Sequence, residues 1–152
     1  MKALLLLALP LAAQAQMPVP APADAVEFVR TCYTAHYENQ GFGDDDLVKR
    51  KDWFTPRLYA LLKADAQREP ESADPPRLAF DPFTNAQEDA DHFEIGGTRW
   101  DGQRAYVEVL NFYGTTALRV TLQLVKLEER WRIENMLYGE GFTLRRILAT
   151  PP

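Results

Sequence analysis

Few side chains in this chain could do chemistry, and their spacing decides most cases. Cys32 and His36 are four residues apart on one side of a helical pattern, so a thiol–imidazole pair is within reach there. The competing account is a packed thiol on a Tyr/His-rich helix face, since Phe28, Val29 and Tyr33 surround Cys32. Ser72 is the only serine and sits in a proline-rich loop, with no G-x-S-x-G turn to expose it. His36 and His92 are the only histidines and form no H-x-x-x-H or H-E-x-x-H spacing, so no metal site and no cofactor is expected. Asp44, Asp45 and Asp46 suggest calcium, but the sixth position of such a loop needs Gly and is Lys49. The triplet reads as helix capping and solvated charge, and Glu88, Asp89 and Asp91 as acidic surface.

Two carboxylates remain. Tyr106, Glu108, Leu110 and Phe112 alternate onto one strand face. A carboxylate between aromatics on a concave sheet has a raised pKa and can act as acid or base. Alternatively Ala105, Val107 and Val109 face the core and Glu108 faces water. Asp81 is the second candidate, although Asp before Pro82 also caps a turn by accepting backbone N–H bonds.

The elements that would position these groups follow from periodicity. Leu118, Val120, Leu122 and Leu124 share one face, with Arg119, Thr121 and Gln123 on the other, the period-two mark of a half-buried strand. Residues 104–113 precede it across a break at Gly114-Thr115, and Trp131 and Ile133 repeat the pattern after a tight Glu129-Arg130 link. A further strand, 93–100, enters through Asp101-Gly102, with Gly96-Gly97 predicting a bulge or bend. Before the sheet, Asp24 opens a helix to about Gln40, with Gly41 as its stop. One stripe is Ala25, Phe28, Cys32 and Ala35; the other is Val26, Val29, Tyr33 and Tyr37. A short helix spans 47–54. Thr55-Pro56 starts another, which fades near Glu69 before Pro70, Pro75 and Pro76. Residues 78–87, LAFDPFTNAQ, are an irregular apolar segment in which Phe83, just after a Pro-fixed turn, must bury its ring between helices and sheet. Residues 142–148 form a short amphipathic end.

The order implies an α+β domain, N-terminal helices packed on a curved antiparallel sheet of about four strands. The pieces FTPRLYALLKAD, DPFTNAQE and a W-R-I strand resemble a bacterial family of exported proteins of unknown function, over roughly Ala25 to Leu148. Asp81-Pro82-Phe83 with Gln87 is the most specific part. The resemblance implies a nuclear transport factor 2-like, or cystatin-like, cone fold, often with a pocket between sheet and helices. It implies no activity.

The 152 residues, 46% apolar and 26% charged, suit one domain with a real core. Residues 1–15 read as a secretory signal peptide: Lys2, an apolar run too short to span a bilayer, then Ala13-Gln14-Ala15. No Cys follows, so no lipobox is expected. Residues 16–23 are a Pro/Ala tether, extended and unfolded, 24–149 the domain, and 150–152 a tail. Removing Lys2 from the 17 basic side chains leaves 16 against 22 acidic, net −6. That balance offers nothing to nucleic acid or anionic membranes. A single cysteine precludes an internal disulfide.

Three functions fit. The first is a periplasmic, non-catalytic module binding a protein, either an envelope component or a toxin it neutralises; acidic charge suits a basic partner. The second is a binder of a small apolar ligand, with Tyr33, Trp53, Asp81, Phe83, Gln87, Tyr106, Glu108 and Tyr138 as pocket candidates. The third is a small acid-base enzyme using Glu108 or Asp81. Export is directly testable: intact-mass measurement of periplasmic protein is expected to give a chain beginning at or near Gln16. A full-length cytoplasmic product would contradict it.

Overall fold

The computed structural model describes residues 17–151; the proposed signal peptide lies outside them. Helix α1 spans Ala23–Glu38, α2 Asp44–Lys49 and α3 Pro56–Ala66, with a 3-10 turn at Lys51–Trp53. Strands β1 (His92–Trp100), β2 (Arg104–Tyr113), β3 (Thr116–Leu127), β4 (Arg130–Gly139) and the two-residue β5 (Phe142–Thr143) follow, then α4 (Leu144–Ala149). The five strands lie in sequence order, each antiparallel to the next.

Local chemistry accounts for most boundaries. The Thr55 hydroxyl accepts from Leu58 N at 3.3 Å, with Pro56 as the first residue of α3. The aspartate triplet forms the first turn of α2, where Asp46 Oδ2 accepts from Gly43 N at 3.0 Å and Asp44 pairs with Lys63. Asp24 does not open α1. The helix starts at Ala23 after Pro22, and Asp24 lies in its first turn, 3.1 Å from Lys126 Nζ. Gly96-Gly97 is a bulge, and a Cβ on Gly96 would come within 2.6 Å of Glu108 Oε1, so glycine there makes room for that carboxylate.

The apolar faces meet where the alternation places them. Ala105, Val107 and Val109 of β2, Val120, Leu122 and Leu124 of β3, and Trp131 and Ile133 of β4 are buried. Across from them lie Ala25, Val29, Cys32 and Tyr33 of α1, with Leu58 and Leu62 of α3. In β4 the phase changes at a register shift opposite Gln123/Leu124, so that Asn135 and Met136 are both buried. Asn135 Oδ1 accepts from Met136 N and Arg145 N, each at 3.0 Å, tying α4 to the sheet. The β3–β4 turn is Glu128-Glu129, one residue earlier than the sequence suggests, and both residues have positive φ, 50° and 62°.

Residues 17–22 have no helix or strand and run beside the Thr98–Trp100 end of β1: Trp100 N donates to Val19 O at 2.7 Å and Ala21 N to Thr98 Oγ1 at 3.1 Å. The segment covers backbone groups that a sheet edge would otherwise expose.

Leu122→Ala is expected to cost roughly 2–5 kcal/mol in denaturant titration, because Leu122 is fully enclosed. Arg119→Ala, on the opposite face with its side chain 65% exposed, should cost under about 1 kcal/mol. Equal losses would contradict the face assignment.

Candidate functional site

The eight sequence candidates do not line one pocket. The space between helices and sheet, where a cone-fold pocket is expected, is filled. Phe83 occupies it and is wholly buried, stacked on His36 at 4.7 Å and set edge-on to Tyr33 at 5.4 Å and Trp53 at 5.8 Å. The DPF segment is therefore a plug. Its backbone lies outside the main sheet; a turn closed by Asp81 N donating to Ala86 O at 2.9 Å satisfies part of it, and side chains satisfy the rest. Asp81 O accepts from Asn85 N at 2.8 Å, and Pro82 O from the Tyr138 hydroxyl at 3.1 Å. Phe83 O accepts from the Tyr33 hydroxyl at 2.7 Å and from Asn111 Nδ2 at 3.1 Å; Thr84 O accepts from the Tyr113 hydroxyl at 3.4 Å. Burial pushes the Tyr33 and Tyr138 hydroxyls well above the usual phenol range, so both remain donors.

Asp81 is the hinge of this plug. Its Oδ1 accepts from Phe83 N at 2.9 Å, the turn-capping role open to an Asp before Pro. Its Oδ2 lies 2.6 Å from His36 Nε2. His36 Nδ1 faces Arg50 Nη1 at 3.0 Å. A guanidinium only donates, so Nδ1 is the acceptor, and Nε2 carries the proton it gives to Asp81. Arg50 also donates to Gly41 O at 3.0 Å and Asn39 O at 3.3 Å, and its carbon lies 5.2 Å from the Trp53 ring centre. Both imidazole nitrogens are thus committed, which leaves nothing to activate Cys32. Desolvation also pushes that buried thiol up, so it is a packed side chain.

The open site is elsewhere, at the place where β4 leaves β3. A cleft of about 710 Å³ lies there. Glu108, Arg119 and Thr121 form its wall on the outer face of the sheet, and Phe80, Tyr138 and Phe142 its aromatic side. Phe80 and Tyr138 meet edge-on at 5.4 Å, while Phe142 is 62% exposed. Glu108 Oε2 is 3.0 Å from Arg119 Nε. Of the sequence candidates only Glu108 and Tyr138 reach this cleft. Tyr106 lies under Arg99, whose guanidinium carbon is 3.9 Å from its ring centre. Gln87 donates to Ala79 O at 3.1 Å and borders a second cleft of about 390 Å³ with Tyr113, Thr116 and Leu118. Tyr33, Phe83 and His36 are interior, Asp81 is half-buried at the edge of a third cleft of about 320 Å³ that Gln87 also lines, and Trp53 is half-buried against Phe83.

Sequence reasoning missed Arg119, Thr121, Phe80 and Phe142 as neighbours of Glu108. Arg119 was legible only as an outward strand residue; its meeting with Glu108 follows from the Glu108↔Thr121 and Leu110↔Arg119 register. The acidic residues at 88–91 are partly structural, since Asp91 Oδ2 accepts from Gly114 N at 2.7 Å. Among the described residues no three His, Cys, Asp or Glu side chains gather as a metal would need, and no helix is long and apolar enough to cross a membrane. Compared with protein-family models, curated proteins and solved structures, the chain finds no match in any of the three.

Phe83→Ala is expected to cost roughly 3–5 kcal/mol by urea denaturation. Asp81→Asn should cost roughly 1–3 kcal/mol, because an amide N–H would then oppose the His36 N–H unless the imidazole changes tautomer against Arg50. Near wild-type stability of Phe83→Ala would mean that the segment does not plug the core.

Proposed function

We propose that this protein is a non-catalytic binding module, exported by residues 1–15, that holds a protein partner in the cleft beside β3. We further propose that it is a plugged variant of the nuclear transport factor 2-like cone. The observation that carries the binding reading is the cleft itself: about 710 Å³, open to solvent, with polar and aromatic groups converging on it. The two carboxylates that could serve acid-base chemistry are already engaged. Glu108 is paired with Arg119, and Asp81 holds His36 and the Phe83 N–H.

The partner is an envelope component or a toxin that the module neutralises, and the acidic surplus favours a basic one by steering its approach. A small apolar ligand is the second reading, supported by the aromatic side formed by Phe80, Tyr138 and Phe142. Affinity capture from periplasmic extract discriminates. Wild type and Val48→Ser, a change on exposed α2 surface, should retain the same component, and Arg119→Glu with Phe142→Ala should lose it. Capture indifferent to the cleft changes would remove the cleft assignment. Turnover of carbonyl or lactone substrates that Glu108→Gln abolishes would establish an enzyme instead.

A further inference from the structure

We infer that the gap between β3 and β4 receives an extended segment of a partner polypeptide as an added strand. This rests on the binding reading above and specifies the form its partner takes. The decisive observation is the register. β3 pairs with β2 from Thr116 to Val125, but its pairing with β4 begins only at Thr121↔Leu137. Residues 116–120 therefore have a strand on one side alone. Beyond Leu137 the chain turns to pair with β5, through another register shift, and so opens the gap.

Backbone alternation shows what the gap offers. Tyr113↔Thr116 closes a two-residue turn, with Gly114 at φ 58°, so Thr116, Leu118 and Val120 direct their N–H and C=O groups to β2. Those of Ala117 and Arg119 point the opposite way, into the cleft. Two donor–acceptor sets spaced two residues apart match an extended backbone, whereas a compact small molecule has no use for that repeat. The clefts of about 710 and 390 Å³ both border β3, the first at Arg119 and Thr121, the second at Thr116 and Leu118, and Asn85 to Glu88 lie across from them. They provide room along the same five residues.

The other edges offer less: residues 17–22 take up the Thr98–Trp100 end of β1, and β5 is two residues long and leads directly into α4. An incoming strand would place alternate side chains on the two faces of the sheet. One set meets Phe80 and Tyr138, the other the Glu108–Arg119 pair, with Glu140 at the rim. The matching segment alternates apolar residues with polar ones, and its charges are basic, in keeping with the acidic surplus.

Selection of random phage-displayed peptides on the full chain tests this. The best binder is synthesised unmodified and N-methylated at alternate amides in each of the two registers. The unmodified peptide should slow hydrogen exchange at Ala117 and Arg119, and methylation in one register only should weaken binding about tenfold or more. Peptides that bind without protecting those amides, or that tolerate methylation in both registers, would overturn the proposal. So would a selection that yields no binder. If the Arg119→Glu, Phe142→Ala protein still loses its captured component in that case, the binding reading survives and strand addition alone fails. Concentration-dependent dimers that protect the same two amides would assign the gap to a second copy of this chain and exclude the partner segment.

Discussion

An irregular backbone segment sits at the centre of this domain, and the structure depends on satisfying it. Buried peptide groups outside helix or sheet are costly unless each finds a partner. Here the partners come from every layer: Tyr33 from α1, Asn111 and Tyr113 from β2, and Tyr138 from β4. The Arg50–His36–Asp81 chain fixes the turn from the helix side. With those bonds made, Phe83 can contribute a whole aromatic ring to the core. The same arrangement fills the space between α1 and the sheet with the Phe83 ring.

The division of labour between carboxylates follows. Asp81 is drawn inward as an acceptor for backbone and imidazole. Glu108 stays outside because the inner face of β2 is taken by Ala105, Val107 and Val109. It is aimed by Gly96, which leaves space above the bulge, and by Arg119 two positions across the ladder. The result is a charged pair in the wall of a cleft.

What the sequence revealed was local. The alternation around Leu122, the Thr55-Pro56 start, the Gly96-Gly97 bulge and the burial of Phe83 each depend on residues within a few positions. The α+β order of helices followed by an antiparallel sheet was legible for the same reason. The cleft was not, because it exists only where β4 departs from β3, and that depends on the register shift at Gln123/Leu124 and on where Leu137 stops pairing. Nor was the use of His36, whose partners lie 14 and 45 residues away. The β3–β4 turn was misplaced by one residue because Glu128 and Glu129 take positive φ without the glycine or asparagine that normally signals it.

The strap along β1 also governs how the molecule meets its neighbours in solution. Val19 O and Ala21 N are bonded to β1, and Pro18, Pro20 and Pro22 beside them have no N–H to offer. This margin of the molecule is therefore poor in backbone donors. Another chain arriving there cannot complete a reciprocal set of bonds. The strap thus takes, at the Thr98–Trp100 end of β1, the place that a neighbouring chain would fill, and copies crowded together lose that corner as a seam.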